Sequence, residues 1–388
     1  MPIINRMAEL HDEITAWRRQ LHANPELMYD VHETAALVSQ KLREFGCDEV
    51  VEGIGKTGVV GVIRGSRGEG GTIGLRSDMD ALPIEEETGK PHASRVPGKM
   101  HACGHDGHMA MLLGAARYLS ETRNFSGSVV VIFQPAEEGG AGGKAMVDDG
   151  MMDRFGIDEV YGLHNMPGIA VGDFAIRPGP IMAATDEFDI VITGKGSHAA
   201  MPHQSVDPIT IAAQCVMAMQ TIVSRGANPV ESLVVSVTQL KSGFTNNVIP
   251  TTAYLNGTVR SLTPELRIFA EKRIREIVAG IVSAHGATAE INYENNYPVT
   301  FNHVEQTQKA IAIAEAVAGK GRVNTEIPPL LGAEDFSYML EARPGAFIFM
   351  GNGDTASLHN PEYDFNDEAI PVGSSYWAKL VETLLPAR

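Results

Sequence analysis

The segment "MHACGHDGHMAMLLGAA", residues 100–116, places three histidines and one cysteine within eight residues, directly before a run rich in alanine and leucine. Imidazole and thiolate groups bind zinc and related divalent metals, and they also support nucleophilic catalysis. The apolar residues of the second half recur at helical spacing, namely Met109, Leu112, Leu113 and Ala116. This spacing predicts a helix that begins near Asp106 and buries its apolar side.

Cys103 and His105 lie just before the predicted helix. Residues two apart in an extended segment point the same way, and the positive end of a helix favours a thiolate. The pair can therefore hold one metal ion. His101 and His108 are candidates either as further ligands or as residues that orient the ligands.

Two adjacent carboxylates, Glu137 and Glu138, follow the predicted strand in "VVVIFQPAEEGG". Neighbouring side chains diverge at the end of a strand, so one can bind metal while the other takes a proton from a water. That division of roles is what a metal-dependent hydrolase needs. A solvated turn before the glycines is the alternative interpretation.

Other polar side chains follow apolar strands elsewhere in the chain: Asp78 and Asp80 in "TIGLRSDMDALP", His164 in "VYGLHNMPG", and His359 in a loop after "GAFIFMG". In an open α/β sheet the ligand crevice lies at the carboxyl ends of the strands. We therefore expect these residues to converge on one edge of a sheet.

The elements that would position these residues follow two different patterns along the sequence. Helical patterns alternate with short apolar strands in the first and last parts, which predicts an α/β fold with an open, mostly parallel sheet. Between them lies a β-α-β-β-α-β pattern typical of a ferredoxin-like α+β domain. The expected organisation is a two-part catalytic domain, 1–183 and 296–388, interrupted by an inserted domain, 184–295.

The inserted domain carries His198 and His203 in "GKGSHAAMPHQSVDP", ahead of a helix whose N-cap is Ser205 or Asp207. These histidines could simply pack or cap that helix. A catalytic role requires the inserted domain, or that of a partner subunit, to close over the metal crevice.

Composition excludes several classes of protein. The 388 residues contain 31 Lys plus Arg against 48 Asp plus Glu, a net charge of −17 that disfavours nucleic acid and anionic membranes as partners. No stretch reaches the roughly 18 apolar residues of a membrane span. Three dispersed cysteines argue against a disulfide framework, and we expect a cytoplasmic protein. No G-x-G-x-x-G leads into a helix, which disfavours a dinucleotide-binding oxidoreductase.

The chain resembles the M20 metallopeptidases, within them the amidohydrolase branch of hippurate hydrolases, indole-acetyl amino acid hydrolases and N-acetyl-diaminopimelate deacetylases. The resemblance runs in family order over nearly the whole chain. The motifs are "WRRQLHANPEL", "SDMDALP", "MHACGHDGH", "FQPAEEGGAGGKAM", "GLHNMPG", "GKGSHAAMPH", "NVIPTTAYLNGTVR", "GAEDFSYM" and "LHNPEYDF". It implies a two-part α/β catalytic domain interrupted by a lid or dimerisation domain.

The resemblance also implies two divalent metal ions per subunit, zinc, manganese, cobalt or nickel. The implied ligands are Cys103, His105, Glu138, His164 and His359. Glu137 resembles the general base and Asp80 an acidic residue that supports the metal site. The wider family has histidine where this chain has Asp78, and aspartate where it has Cys103, a departure typical of the amidohydrolase branch.

By the same resemblance, His198 is the donor that steadies the tetrahedral oxyanion, and Asn247 and Arg260 contact the substrate. The guanidinium of Arg260 can form two parallel hydrogen bonds to a substrate carboxylate. The alternative is that Arg260 forms a salt bridge within its strand's surroundings and does not contact substrate. A homodimer through the inserted domain is expected.

The reaction implied is hydrolysis of an N-acyl amino acid to a carboxylic acid and a free amino acid. Alternatives within the family are a dipeptidase and an N-acetyl-diaminopimelate deacetylase. Two further alternatives are catalysis by Cys103 as a nucleophile and a non-catalytic relative that binds metal or ligand.

Overall fold

A computed structural model describes residues 3–387 of the chain, so residues 1, 2 and 388 of the expected first and last segments lie outside the described residues. The helices are α1 Asn5–Glu9, α2 His11–His22, α3 His32–Glu44, α4 His105–Thr122, α5 Gly142–Asp148, α6 Met151–Arg154, α7 Pro208–Thr221, α8 Pro264–Ala284, α9 Val304–Ala318, α10 Ser337–Ala342 and α11 Ile370–Leu384.

The strands are β1 Glu49–Ile54, β2 Gly58–Arg64, β3 Thr72–Asp78, β4 Ser128–Gln134, β5 Glu159–Pro167, β6 Phe174–Ala175, β7 Gly179–Met182, β8 Ala184–Thr193, β9 Ser197–His198, β10 Leu233–Ser242, β11 Val248–Ile249, β12 Thr252–Ser261, β13 Thr288–Asn295, β14 Thr300–Asn302, β15 Val323–Asn324 and β16 Gly345–Gly353. The contacts between residues divide the chain into two compact units.

The first unit contains the residues up to Ile181, Phe301–Pro328 and those from Asp335 onward. Its sheet has eight strands in the order β1-β2-β4-β3-β5-β16-β6-β15. The central pairs β4-β3, β3-β5 and β5-β16 are parallel. These strands are nearly continuous apolar runs, as in "SVVVIFQ", because helices cover both faces of such a sheet. The open, mostly parallel sheet predicted from the sequence is confirmed.

Helix α4 begins at His105, one residue before the predicted start. Gly104 precedes it at φ 84°, a left-handed conformation that favours glycine. The helix packs against α2, α11 and β3, and its apolar residues are fully buried: Met109, Met111, Leu112, Leu113 and Leu119. This packing fixes the first turn of α4 at the end of the cysteine- and histidine-rich segment.

The second unit comprises Met182–Thr300 and Pro329–Glu334. Strands β8, β10, β12 and β13 form an antiparallel sheet in the order β10-β12-β8-β13, with α7 and α8 packed on it. The order along the chain is the β-α-β-β-α-β pattern read from the sequence. Asp207 is the N-cap of α7, since its carboxylate accepts the backbone N–H of Ile209 at 2.9 Å.

The second unit is slightly longer than the expected inserted domain and includes a separate short segment. That segment joins it through the backbone, because Ala183 N–H donates to the carbonyls of Leu330 (3.1 Å) and Gly332 (2.9 Å). Among residues 3–387, no helix combines the length and the apolar character needed to cross a membrane.

Candidate metal centre and active site

Three side chains of the first unit converge in a buried cluster: Cys103, His105 and His164. One donor atom from each lies within 4.8 Å of the others, and Cys103 Sγ is 3.4 Å from His164 Nε2. Cys103 comes from the segment before α4, His105 from its first turn and His164 from β5. The parallel neighbours of β5 bring the other strand ends to the same edge.

The hydrogen bonds of the two histidines leave the same ring nitrogen for a metal. His105 Nδ1 faces the Asp80 carbonyl at 2.7 Å, and His164 Nδ1 faces the Asn165 carbonyl at 2.6 Å. A carbonyl only accepts, so each Nδ1 carries a hydrogen, and a neutral ring in this orientation presents its lone pair at Nε2. His105 Nε2 is buried and has no hydrogen-bond partner among the described residues, which fits an atom that binds a metal.

Glu138 and His359 complete a second group that shares Cys103. Their donor atoms also lie within 4.8 Å of one another, and His359 Nε2 is 3.2 Å from Glu138 Oε1. His359 has φ 62°, and its backbone N–H donates to the carbonyl of Ala102 at 2.8 Å. The hydrogen bond to Glu138 raises the pKa of His359. The loop after β16 is thus tied to the segment that carries Cys103.

Asp80 organises the paired glutamates. One of its carboxylate oxygens accepts the backbone N–H of Glu137 at 2.9 Å, and the other accepts that of Glu138 at 3.1 Å. Glu137 is buried, and its carboxylate lies within 4.8 Å of donor atoms of His105 and Glu138. The alternative of a solvated turn is therefore wrong for Glu137, which is buried beside the candidate ligands.

Asp78 and His108 lie in the same cluster but have their polar atoms occupied. Asp78 Oδ1 accepts from His108 Nδ1 at 2.6 Å, and Asp78 Oδ2 accepts from Arg76 Nη1 at 2.8 Å. His108 Nε2 accepts the backbone N–H of Asn165 at 2.9 Å. Donor atoms of Asp78, His105 and His108 also lie within 4.8 Å of one another, but these hydrogen bonds favour an orienting role for Asp78 and His108.

His101 belongs to none of the ligand groups found among the described residues. Both of its ring nitrogens are buried without a hydrogen-bond partner in that part of the chain. Burial lowers the pKa of His101 to about 3, so the ring is neutral. The structure therefore disfavours His101 as a ligand of the pair.

The Cys103 thiol differs from the expectation that the helix end favours a thiolate. Burial, together with the nearby carboxylates of Glu138 and Glu137, raises the pKa of Cys103 well above its usual value. Burial disfavours the charged thiolate, and the full negative charges of the nearby carboxylates disfavour it further. A thiolate here needs a cation beside it, which disfavours Cys103 as an independent nucleophile.

The donor set fits divalent metals. A thiolate, imidazole nitrogens and a carboxylate suit zinc, and the same mixture accommodates manganese, cobalt or nickel. The buried, unpartnered His105 Nε2 and the oriented Nε2 of His164 agree with that use.

Within the second unit, His198 and Asn247 line one open cavity of about 820 Å³ together with Lys241, Phe244 and Tyr254. His198 Nδ1 accepts the backbone N–H of Ala200 at 3.1 Å. The hydrogen of a neutral ring therefore sits on Nε2, which makes that atom a donor, as the oxyanion role requires. His203 is exposed in a short turn.

Arg260 lies on β12 and is not among the residues that line this cavity. Its Nη1 donates to the Val259 carbonyl at 3.0 Å and to the Thr258 hydroxyl. None of the described residues forms an ion pair with Arg260. The salt-bridged alternative is therefore wrong, and the guanidinium keeps donors for another acceptor.

The sequence interpretation missed several buried polar residues that hold the site together. Arg76 Nη2 donates to Asp335 Oδ1 at 3.0 Å, and Asp335 also accepts from Gln134 and the backbone of Gly143. Asn165 bonds to three segments of the site. Asp335 lies in "GAEDFSYM" and Asn165 in "GLHNMPG". Both motifs were recognised in the sequence, but neither of these two residues was given a role.

Comparison with known proteins places the chain in a family. The model of peptidase family M20/M25/M40 matches residues 74–383. Hippurate hydrolase of Campylobacter jejuni is 42% identical, with 98% of each chain covered. Thermostable carboxypeptidase 2 of Saccharolobus solfataricus is also 42% identical, with 95% of each chain covered. The YXEP protein of Bacillus subtilis, a dinuclear metal binding peptidase from the M20 family, superposes with a TM-score of 0.86 at 35% identity, covering 98% of this chain and 100% of that one.

An α/β fold with a buried cluster of thiol, imidazole and carboxylate donors defines the class as that of the metal-dependent peptidases and amidohydrolases. The chain belongs to peptidase family M20/M25/M40. The membership expected from the motifs is confirmed.

Proposed function

We propose that this protein is a metal-dependent amidohydrolase that cleaves the amide bond of N-acyl amino acids, giving a carboxylic acid and a free amino acid. The observation that carries the proposal is the cluster of Cys103, His105, Glu138, His164 and His359 with the buried Glu137 beside it. Two divalent ions held by these residues would supply Lewis acidity to a water and to the amide carbonyl. The two donor groups that meet at Cys103 support a pair of ions rather than one.

The protein's own residues carry the proton transfers and the positioning. Glu137 accepts a proton from the attacking water and returns it to the leaving nitrogen, with no covalent intermediate on the protein. Asp80 holds the backbone of Glu137 and Glu138 in place. His198 donates from Nε2 to the developing oxyanion, acting in its own subunit or in a partner.

The substrate class is supported by what two relatives have in common. Hippurate is an N-acyl glycine, and a carboxypeptidase acts on a chain with a free carboxylate. Hydrolysis of either substrate therefore releases an amino acid whose carboxylate was already free in the substrate. Arg260 without an ion pair, together with Asn247, is suited to hold that group. Benzoyl, acetyl and indole-acetyl groups are candidates on the acyl side, and dipeptides or N-acetyl-diaminopimelate are alternative substrates.

A homodimer through the second unit and a cytoplasmic location complete the proposal. Strand β10 is an edge of its sheet, and Leu240 on this strand and Phe244 just beyond it are exposed, as is Met217 on α7. An unpaired edge beside exposed apolar side chains favours pairing with a second copy. Cys47, Cys103 and Cys215 are all free thiols, as in proteins of reducing compartments.

The test is release of free amino acid from N-benzoyl, N-acetyl and indole-acetyl amino acids and from dipeptides. Chelated protein would be assayed before and after addition of zinc or manganese, beside Glu137→Ala and the exposed control Glu69→Gln. Metal-dependent turnover in the wild type and the control, lost in Glu137→Ala, is expected. Metal binding without turnover of any substrate would support the non-catalytic alternative.

A further inference from the structure

We infer that Asn165 is a positioning residue that sets the metal affinity of the site by joining the segments that carry its proposed ligands. The inference rests on the ligand set of the proposed function. Asn165 follows His164 in β5, and its side chain is fully buried. Both ends of its side-chain amide are hydrogen-bonded to other protein groups, so the amide is not offered to a metal.

Two hydrogen bonds tie Asn165 directly to residues of the ligand set. Its side-chain Nδ2 donates to the backbone carbonyl of Cys103 at 2.6 Å. Its own backbone carbonyl accepts from His164 Nδ1 at 2.6 Å. The first bond fixes the backbone that carries the thiol, and the second fixes the tautomer and ring orientation that present His164 Nε2.

Three further hydrogen bonds join Asn165 to other segments. Its backbone N–H donates to His108 Nε2 at 2.9 Å, and its side-chain Nδ2 lies 3.0 Å from the same nitrogen, on the first turn of α4 that also carries His105. Its side-chain Oδ1 accepts from the Tyr363 hydroxyl at 2.7 Å. Tyr363 is fully buried and lies four residues after His359. One amide therefore links β5, the Cys103 segment, α4 and the His359 loop.

The packing around the amide leaves no room for a substitute contact. A Cβ added to Gly104 would lie 2.4 Å from both Asn165 Nδ2 and the Tyr363 hydroxyl. The site uses both ends of the amide, because Nδ2 must donate to a carbonyl while Oδ1 accepts from a hydroxyl. An aspartate of the same shape keeps the acceptor but sets a second acceptor against the Cys103 carbonyl.

Asn165→Asp is therefore the main test, with Asn302→Asp as the matched control. Asn302 is also fully buried, and its amide donates to the Phe347 carbonyl at 2.8 Å and accepts the Phe347 N–H at 2.6 Å. Each exchange removes a buried amide donor from a backbone carbonyl, but Asn302 bonds to none of the proposed ligands. Tyr363→Phe is a milder second variant that removes only the hydroxyl.

The measurements are cobalt(II) affinity, by competition with a chelator, and the thiolate-to-cobalt absorption band, both independent of turnover. We expect Asn165→Asp to weaken cobalt binding by about 10-fold or more and to alter the band. Tyr363→Phe should shift both in the same direction by less, and Asn302→Asp should lower thermal stability without changing either. These results would separate positioning of the ligands from general loss of stability.

Two outcomes would overturn the inference in different ways. Wild-type cobalt affinity and an unchanged absorption band in both Asn165→Asp and Tyr363→Phe would contradict the positioning role of Asn165. That outcome would leave the proposed ligand set intact. A wild-type protein without a thiolate-to-cobalt band, or a Cys103→Ser variant with unchanged affinity, would contradict the proposed ligand set and this inference with it. If Asn165→Asp does not fold, the comparison of Tyr363→Phe with Asn302→Asp decides the question.

Discussion

The carboxylate of Asp80 accepts the backbone N–H of Glu137 at 2.9 Å. The turn after β4 therefore depends on a side chain from the segment after β3, and its other oxygen binds Glu138 N–H at 3.1 Å. One buried carboxylate thus fixes both the proposed base and a proposed ligand. Asp80 therefore acts on the site by holding the backbone of Glu137 and Glu138.

Asp80→Asn should reduce kcat by about 10- to 100-fold, because the amide nitrogen would face a backbone N–H and displace one of the two glutamates. The control is Asp149→Asn, since Asp149 accepts the backbone N–H of Gly55 at 3.0 Å away from the ligand set. Steady-state kinetics and metal content check both variants. Equal kcat in Asp80→Asn and the control would contradict the role of Asp80.

Glu137→Gln should reduce kcat by about 10²- to 10⁴-fold with little change in metal content, because the amide cannot accept the proton of the water. Glu138→Gln should instead lower metal content, since it replaces a proposed ligand. Kinetics and elemental analysis of the same preparations separate the two roles. Loss of metal in Glu137→Gln would assign that residue to the ligands.

Much of the fold follows from local patterns in the sequence. Apolar β-branched runs such as "SVVVIFQ" predict buried strands, and the periodicity after Asp106 predicts α4 to within one residue. The α+β pattern of the second unit is equally visible, because its strands alternate between buried and exposed positions, as in β8. These features depend on residues close together in the sequence.

The rest of the site depends on residues far apart in the sequence. Nothing local indicates that Asn165 bonds to Cys103 and Tyr363, since a single buried asparagine gives no periodic signal. Nor does the sequence near Cys103 predict its raised pKa, because the causes are tertiary burial and the carboxylates of Glu138 and Glu137, which lie in the turn after β4. The short segment Pro329–Glu334 is assigned to the second unit by backbone pairing that only the tertiary structure reveals.

Gly104→Ala should destabilise the protein and weaken metal binding, because its Cβ would lie 2.4 Å from Asn165 Nδ2 and from the Tyr363 hydroxyl. Gly98→Ala is the control, since Gly98 also has a positive φ (71°) but only Glu85 Oε2 at 4.0 Å nearby. Both substitutions cost about 1 kcal/mol for the left-handed backbone, so any further loss in Gly104→Ala reports overpacking, about 1–3 kcal/mol. Thermal unfolding and chelator competition measure the difference. Equal losses in the two variants would count against the close packing.

Arg260→Lys should raise KM for an N-acyl amino acid by about 10-fold or more while kcat changes less, because lysine cannot form a bidentate contact with a carboxylate. The matched substrate is the primary amide of the same N-acyl amino acid, which has no carboxylate to grip. Its KM should be unaffected by the substitution. A similar rise in KM for both substrates would show that Arg260 does not bind the substrate carboxylate.

His22 provides a pH-dependent contribution to stability within the first unit. It is buried, with Nδ1 at 2.8 Å from Asp106 Oδ2 and Nε2 at 3.3 Å from Glu86. Burial alone would lower the pKa of His22, but the charge of Asp106 and the hydrogen bonds to Asp106 and Glu86 outweigh it and raise the pKa to about 9. The pKa in the unfolded chain is about 6.5.

Because the folded pKa is the higher one, the stabilisation from His22 is fully present below pH 6.5 and is lost as the pH rises through about 9. The stability difference between wild type and His22→Gln should therefore shrink by up to about 3 kcal/mol between pH 6 and pH 10. Thermal unfolding in EDTA measures it without a contribution from metal loss. A His22→Gln difference that does not change with pH would mean that folding does not raise the pKa of His22.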